Sequence, residues 1–148
     1  IFGLRALDSL RLEKSFGAWA SEYRPIYDPY EAGLGRFVKL DKDEFIGREA
    51  AEHIHAEGPR RRLMTFVVEA EDADVLGDEP IWHRDEVVGW VTSGGYAHWS
   101  QVSVALGYVP VERADTDDGF EIEVLGVRRV ARPQREPLFD PKGERMRA

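Results

Sequence analysis

Residues 62–70 read RLMTFVVEA, with Met64, Phe66 and Val68 on every second position. Successive side chains of a strand point to opposite faces, so this stretch predicts a strand with one buried face. It also marks the largest change of pattern in the chain: apolar residues recur at helical spacing before Arg60 and alternate after it. Helices are therefore expected in the first part and a sheet in the remainder.

Downstream, EDADVLGDEP (71–80) reads as a charged loop, and PIWH (80–83) and EVVGWVT (86–92) flank His83, Arg84 and Asp85 as the arms of a hairpin. After SGGYAHWSQ (93–101), VSVALGYVP (102–110) sets Val102, Val104, Leu106 and Tyr108 on one face and small residues on the other. Phe120, Ile122 and Val124 alternate with Glu121 and Glu123, and Gly126 turns the chain into VRRVARP (127–133). Five or six short strands at this spacing predict an antiparallel barrel or sandwich.

Upstream, Leu4, Leu7, Leu10 and Phe16 recur at mostly helical spacing, which predicts a helix from about Leu4 to Lys14, ending near Gly17. In SEYRPIYDPYEAGLGR (21–36), Pro25, Pro29, Gly33 and Gly35 forbid a regular helix, while the tyrosines give the loop rigid bulk. FVKL (37–40) is a short extended piece. Asp41 followed by Glu44 fits a capping box for a second helix through FIGREAAEHIHAE (45–57), stopping at Gly58 before Pro59. The fold expected is α+β, two N-terminal helices followed by an antiparallel β-barrel of about six strands.

With 148 residues, 43% hydrophobic and 32% charged, the chain has the size and composition of an ordered domain. The excess of 28 acidic over 20 basic side chains, a net charge of -8, repels phosphate backbones and anionic lipid, so neither nucleic acid nor a membrane is an expected partner. The absence of cysteine excludes disulfides, thiolate metal sites and a cysteine nucleophile. No apolar run approaches the ~20 residues needed to cross a bilayer. Starting at Ile1, without an initiator Met or a signal-peptide layout, the sequence is expected to be a segment of a longer polypeptide.

The residues that could carry chemistry have plainer readings. His53 and His55 lie two apart, so on a helix they diverge by about 200° and cannot clamp one metal ion. His83 and His98 have no serine or aspartate arranged as a triad. The acidic run from Glu69 to Glu79 lacks the glycine and closing glutamate of a calcium loop, and Asp115–Gly119 runs directly into strand residues. Arg60, Arg61 and Arg62 read as a charged strand edge, and Trp82, Trp90 and Trp99 as sheet packing. No catalytic residue and no metal ligand emerges from this pass.

The order of segments is nevertheless distinctive: GLRALDSLRLEKSF (3–16), PYEAGLGRFVKLDKDEFIGREA (29–50), RRRL (60–63), PIWH and EVVGWVTSGGY (80–83, 86–96), then VALGYVP (104–110). This order resembles the glycine-cleavage T-protein (aminomethyltransferase) superfamily. LRLEKSFGAW, with EAGL and IGREA downstream, is most similar to the C-terminal folate half of dimethylglycine and sarcosine dehydrogenases. The resemblance runs from Gly3 to about Pro137.

It implies a tetrahydrofolate-dependent one-carbon transfer yielding 5,10-methylenetetrahydrofolate, with a methylated amine as small-molecule substrate. In the dehydrogenase branch an FAD domain oxidises the amine first. The catalytic carboxylate and the FAD motif are expected upstream of this segment, in folate-binding and FAD domains of the same polypeptide. Residues 1–56 would then be the end of the folate-binding domain and 57–148 the C-terminal barrel, supporting and closing the folate pocket in the cytoplasm, or in the mitochondrial matrix of a eukaryote.

The position after EAGLG, an aromatic folate contact in relatives, is Arg36, which could lie flat on a ring or pair with the folate glutamate. Relatives place an arginine just before DSLRLE where this chain has Leu7, leaving Arg5 as a substitute. Phe16 aligns with an aromatic ligand contact in some T-proteins, although a buried core residue is the favoured reading of a phenylalanine, and Tyr30 and Glu31 flank the approach. Arg11 and Glu13 are read as structural, tying the helix to the loop through charged hydrogen bonds. A stand-alone T-protein-like aminomethyltransferase and a non-catalytic folate-binding or docking module are the alternatives. Iron–sulfur-assembly relatives carry a cysteine in the segment corresponding to EFIGREA, and this chain has none.

Overall fold

The structure, a computed structural model, describes residues 2–147. Helix α1 spans Leu4–Glu13 and α2 spans Arg48–Glu57, joined by a long loop with a single 3-10 turn at Gly35–Phe37. Strands β1 (Arg61–Val68), β2 (Pro80–His83), β3 (Glu86–Ala97), β4 (Val102–Pro110), β5 (Phe120–Val124) and β6 (Val127–Gln134) follow, with a one-turn helix α3 at Val111–Ala114. The strands close into an antiparallel barrel in the order β1-β4-β3-β2-β5-β6. The expected helix-plus-barrel fold is therefore the one observed.

The alternation in β1 works as the pattern requires. Phe66 is fully buried and packs at 5.3 Å on Phe120, inside a core that includes Ile81, Val91, Ile122 and Ala131. β4 departs from a one-faced strand, because seven consecutive residues, Ser103–Val109, are buried. Ala105 and Val109 belong to the barrel interior, whereas Val104 and Leu106 pack with Leu12 of α1 on the outside. The small-residue face thus looks inward and the large-residue face outward, where α1 covers it.

Two local expectations change. The stretch SGGYA is not a connection but the end of a strand that runs to Ala97, with Gly94 opposite Ala105 and Gly95 opposite Val104. Helix α2 begins at Arg48, later than the Asp41–Glu44 capping box implies. Its N-cap, Gly47, sits at φ 89, a left-handed conformation across which a helix does not extend, and no side chain caps it. Glu44 instead lies 3.6 Å from the Arg48 guanidinium, which also binds Glu52 at 2.8 Å. On α1, Leu4, Leu7 and Leu10 are exposed, and it is Leu12 that is buried.

A Cβ at Gly89 would stand 2.0 Å from the Tyr108 carbonyl oxygen, so the β3–β4 crossing admits only glycine there. Gly89→Ala should cost about 3 kcal/mol by forcing the strands apart, and Phe66→Ala about 3–5 kcal/mol by opening a cavity. Gly3, with open space around it, is the control: Gly3→Ala should stay within about 0.5 kcal/mol in the same urea titrations.

Candidate functional site

The loop between the helices lies on the outside of β3 and β4, and one carboxylate fixes it there. Glu22 is completely buried. It accepts hydrogen bonds from Ser93 Oγ at 2.5 Å, Thr92 Oγ1 at 2.6 Å, the Ala18 amide at 2.6 Å and Arg11 Nη1 at 3.3 Å. Its backbone carbonyl accepts from the Tyr108 hydroxyl at 2.9 Å. Arg11 Nη1 also reaches Ser93 Oγ and the Phe16 carbonyl. Glu13 works in parallel, accepting from the Trp99 amide at 2.8 Å and Ser100 Oγ at 3.0 Å. Of the two residues read as ties to the loop, Arg11 binds it, whereas Glu13 binds α1 to the β3–β4 turn instead.

Held in this way, the loop, β1, β4 and the segment after β6 enclose a cleft of about 610 Å³, whose lining includes Phe16 and Arg36. Both side chains are exposed. Three other cations line the same cleft, and each has an acidic partner: Lys14 with Asp140, Arg62 with Asp115 at 3.0 Å and Arg135 with Asp117 at 2.7 Å. Arg36 has no carboxylate partner among the described residues; its guanidinium rests over the Phe37 ring at 4.7 Å.

The remaining residues singled out from the sequence lie elsewhere. Tyr30 packs against the His55 ring at 5.1 Å, and its ring occupies the space a Cβ at Gly35 would need. Glu31 is buried; its carboxylate accepts from the Asp28 amide at 3.3 Å and its carbonyl from the Leu63 amide at 3.0 Å. These two join the loop to α2 and β1 directly behind the Arg36 turn. Arg5 is exposed on α1 and does not line the cleft. His53 pairs with Glu57 at 3.3 Å while His55 meets Tyr30, so the two histidines diverge as their spacing dictates. Among the described residues no cluster could hold a metal ion. Trp82 and Trp90 pack on the sheet under arginines, Arg128 at 3.6 Å and Arg61 at 5.3 Å.

Sequence reasoning passed over Glu22. Nothing in SEYRP distinguishes it from a solvated glutamate, because two of its four donors, Ser93 and Thr92, lie 71 and 70 positions away.

The C-terminal barrel domain of the glycine cleavage T-protein matches residues 61–140, more than half of the sequence. The chain belongs to that family. The family's GCVT N-terminal domain also matches residues 1–42. Mitochondrial dimethylglycine dehydrogenase of Mus musculus is 46% identical over 138 residues, covering 93% of this chain and 16% of that protein. Mitochondrial sarcosine dehydrogenase of the same organism is 36% identical over 153 residues, covering 98% of this chain and 16% of that protein. The crystal structure of the glycine cleavage system aminomethyltransferase T from Bartonella henselae superposes with a TM-score of 0.84 at 26% identity, covering 94% of this chain and 39% of that one. The chain thus spans about a sixth of the length of the dehydrogenases it matches.

The buried Glu22 node sets the cost of damage to this face of the family fold. Glu22→Ala leaves the Ser93 and Thr92 hydroxyls and the Ala18 amide without their acceptor and the Arg11 guanidinium with the exposed Asp8, at 2.9 Å, as its one remaining countercharge among the described residues, and should cost about 3 kcal/mol in chemical denaturation. Arg36→Ala, at an exposed side chain, should change stability by less than about 0.5 kcal/mol.

Tyr108 and Tyr27 stack at 3.7 Å, and burial raises the pKa of both phenols, so the native state keeps their protons when the unfolded chain releases them. Stability from this source is complete below the ordinary tyrosine pKa of about 10 and falls as pH rises above it. Denaturation midpoints should therefore drop between about pH 10 and 12, less steeply in Tyr108→Phe.

Proposed function

We propose that this chain is the end of the folate-binding domain, residues 1–56, together with the C-terminal barrel, 57–148, of a tetrahydrofolate-dependent one-carbon transfer enzyme of the dimethylglycine or sarcosine dehydrogenase kind. The observation that carries this reading is Arg36: an exposed cation without a carboxylate partner, on a cleft that also carries an exposed aromatic ring and lies on a T-protein fold. A cleft of about 610 Å³ lies within the usual range for small-molecule sites. Its pairing of a ring with a free guanidinium suits a ligand with a flat heterocycle at one end and carboxylates at the other.

Tetrahydrofolate, when bound, supplies the nitrogen nucleophile that accepts the one-carbon unit. In this reading Phe16 offers a face for a ring and Arg36 holds a carboxylate or stacks flat. Tyr30 and Glu31 hold the Gly35–Phe37 turn from behind and so aim Arg36. Arg5 lies on the exposed side of α1 and meets the upstream domain. The barrel and the segment after β6 wall the cleft against water, which protects an iminium-level carbon from hydrolysis. No residue here is assigned as the catalytic acid or base.

The sequence offers no Gly-rich loop opening a helix, so FAD is assigned to an upstream domain of the same polypeptide, where a methylated amine would be oxidised. The exposed Leu4, Leu7 and Leu10 of α1, with Trp19 and Ile46, form apolar surface that the rest of the folate domain is proposed to cover. The compartment proposed is the cytoplasm, or the mitochondrial matrix in a eukaryote; the mammalian dehydrogenases that the chain resembles are mitochondrial.

Calorimetric titration of tetrahydrofolate into the full-length polypeptide and its Arg36→Ala variant tests the reading. Binding weakened about tenfold or more by the substitution, with unchanged thermal stability, is the expected result. A folded full-length protein that does not bind tetrahydrofolate would overturn it. The structural likeness to a stand-alone aminomethyltransferase keeps that second enzyme class in view, and a flavin absorption band in the full-length protein separates the two.

A further inference from the structure

One end of the barrel opens into a recess of about 1070 Å³ that the folate cleft does not share. Two inward-pointing polar residues line it. Ser103 has the same strand parity as Ala105 and Val109, which belong to the interior core, so its side chain faces into the barrel. Arg129 has the parity of the buried Ala131 and does the same from β6. Ser103 is 3% exposed, and neither its Oγ nor Arg129 Nε has a hydrogen-bond partner among the described residues. Buried polar groups are nearly always satisfied, so two orphaned donors lining one recess are a departure that calls for a ligand.

The rim has the opposite character. The loop after β1 brings Glu69, Glu71, Asp72 and Asp74 to the opening. Asp72 binds Arg129 Nη1 at 2.7 Å, and Glu69 pairs with Arg132. Glu71 and Asp74 have no ion-pair partner among the described residues and are exposed. A simple anion meets this acidic rim before it reaches the donors, and a simple cation finds no acceptor at the inner end beyond the Ser103 hydroxyl. A ligand bearing both charges satisfies both ends.

We propose that the barrel mouth binds a small amino-acid zwitterion, its carboxylate taken by Arg129 Nε and Ser103 Oγ and its ammonium group by Glu71 and Asp74. The site is independent of the folate reading, because none of these residues lines the Arg36 cleft. Asp72 is the adjustable element: it is 74% exposed on a loop, and a bound carboxylate competes with it for the same guanidinium. Asp72 thus stands on the guanidinium as an internal counterpart of the ligand's own acid group.

Hydrogen–deuterium exchange of the full-length polypeptide, with glycine as the probe and acetate and methylammonium as its separate halves, tests the proposal. Glycine should slow exchange in residues 69–74 and 101–103, whereas neither half should do so at the same concentration. Glu71→Gln combined with Asp74→Asn, both exposed, should weaken the apparent affinity about tenfold, and Ser103→Ala about threefold. Arg129→Gln is the harsher variant, and protection should disappear in it. The proposal is overturned by an absence of protection in these segments up to about 100 mM glycine, which would leave water alone as the partner of the two donors. It is equally overturned by equal protection from acetate or methylammonium, or by protection that survives in the rim variant.

Discussion

The structure depends on one buried charge. Glu22 sits where the interhelical loop meets the barrel, and its carboxylate gathers two strand hydroxyls, a loop amide and the Arg11 guanidinium. Removing a carboxylate from water is costly, and here the cost is offset only because every lone pair finds a donor. That requirement makes the arrangement selective. The loop cannot slide on the sheet without stripping the charge of partners, so the position of Phe16, whose carbonyl is held by the same arginine, follows from a contact it does not itself make.

β4 explains why such a node is needed. Its two faces serve two cores, one inside the barrel and one beneath α1, and it is consequently buried along nearly its whole length. Apolar contact alone would let α1 settle in several registers against Val104 and Leu106, since dispersion and hydrophobic burial are not directional. Hydrogen bonds accepted by Glu22 and Glu13, one of them donated by Arg11, select one. The stacked Tyr27 and Tyr108 rings add a flat contact on the same side, and the Tyr108 hydroxyl ends on the Glu22 carbonyl.

The barrel was legible from local pattern because β1, β5 and the β2–β3 hairpin each alternate over a few residues, and alternation is a property of neighbours in sequence. The extent of β3 was not, because Gly94 and Gly95 read as a break. They are in the strand because Val75 and Leu12 press against them from elsewhere in the chain. The start of α2 was misplaced because the Asp41–Glu44 pattern ignores the backbone state of Gly47. Of the candidate cleft, Phe16 and Arg36 were found through family resemblance, not through any chemical signature of their own. Glu22, Ser103 and Arg129 were invisible for a common reason: burial of a polar side chain is decided by strands far away in sequence, and composition carries no trace of it.

The closure of the sheet has a topological consequence. Thr65, midway along β1, is the register partner of Gln134 at the end of β6, so the polypeptide leaves the barrel on the same strand pair by which it enters, a half-strand away from Arg61. A ring of strands has no free edge, and its main demand on what precedes it is the α1 cover over the outer face of β4. Such a unit can be carried as a cassette at the end of a short enzyme or of a much longer one. It can also be cut and rejoined at another turn, with only a short bridge between 134 and 61, without altering a single pairing in the ring.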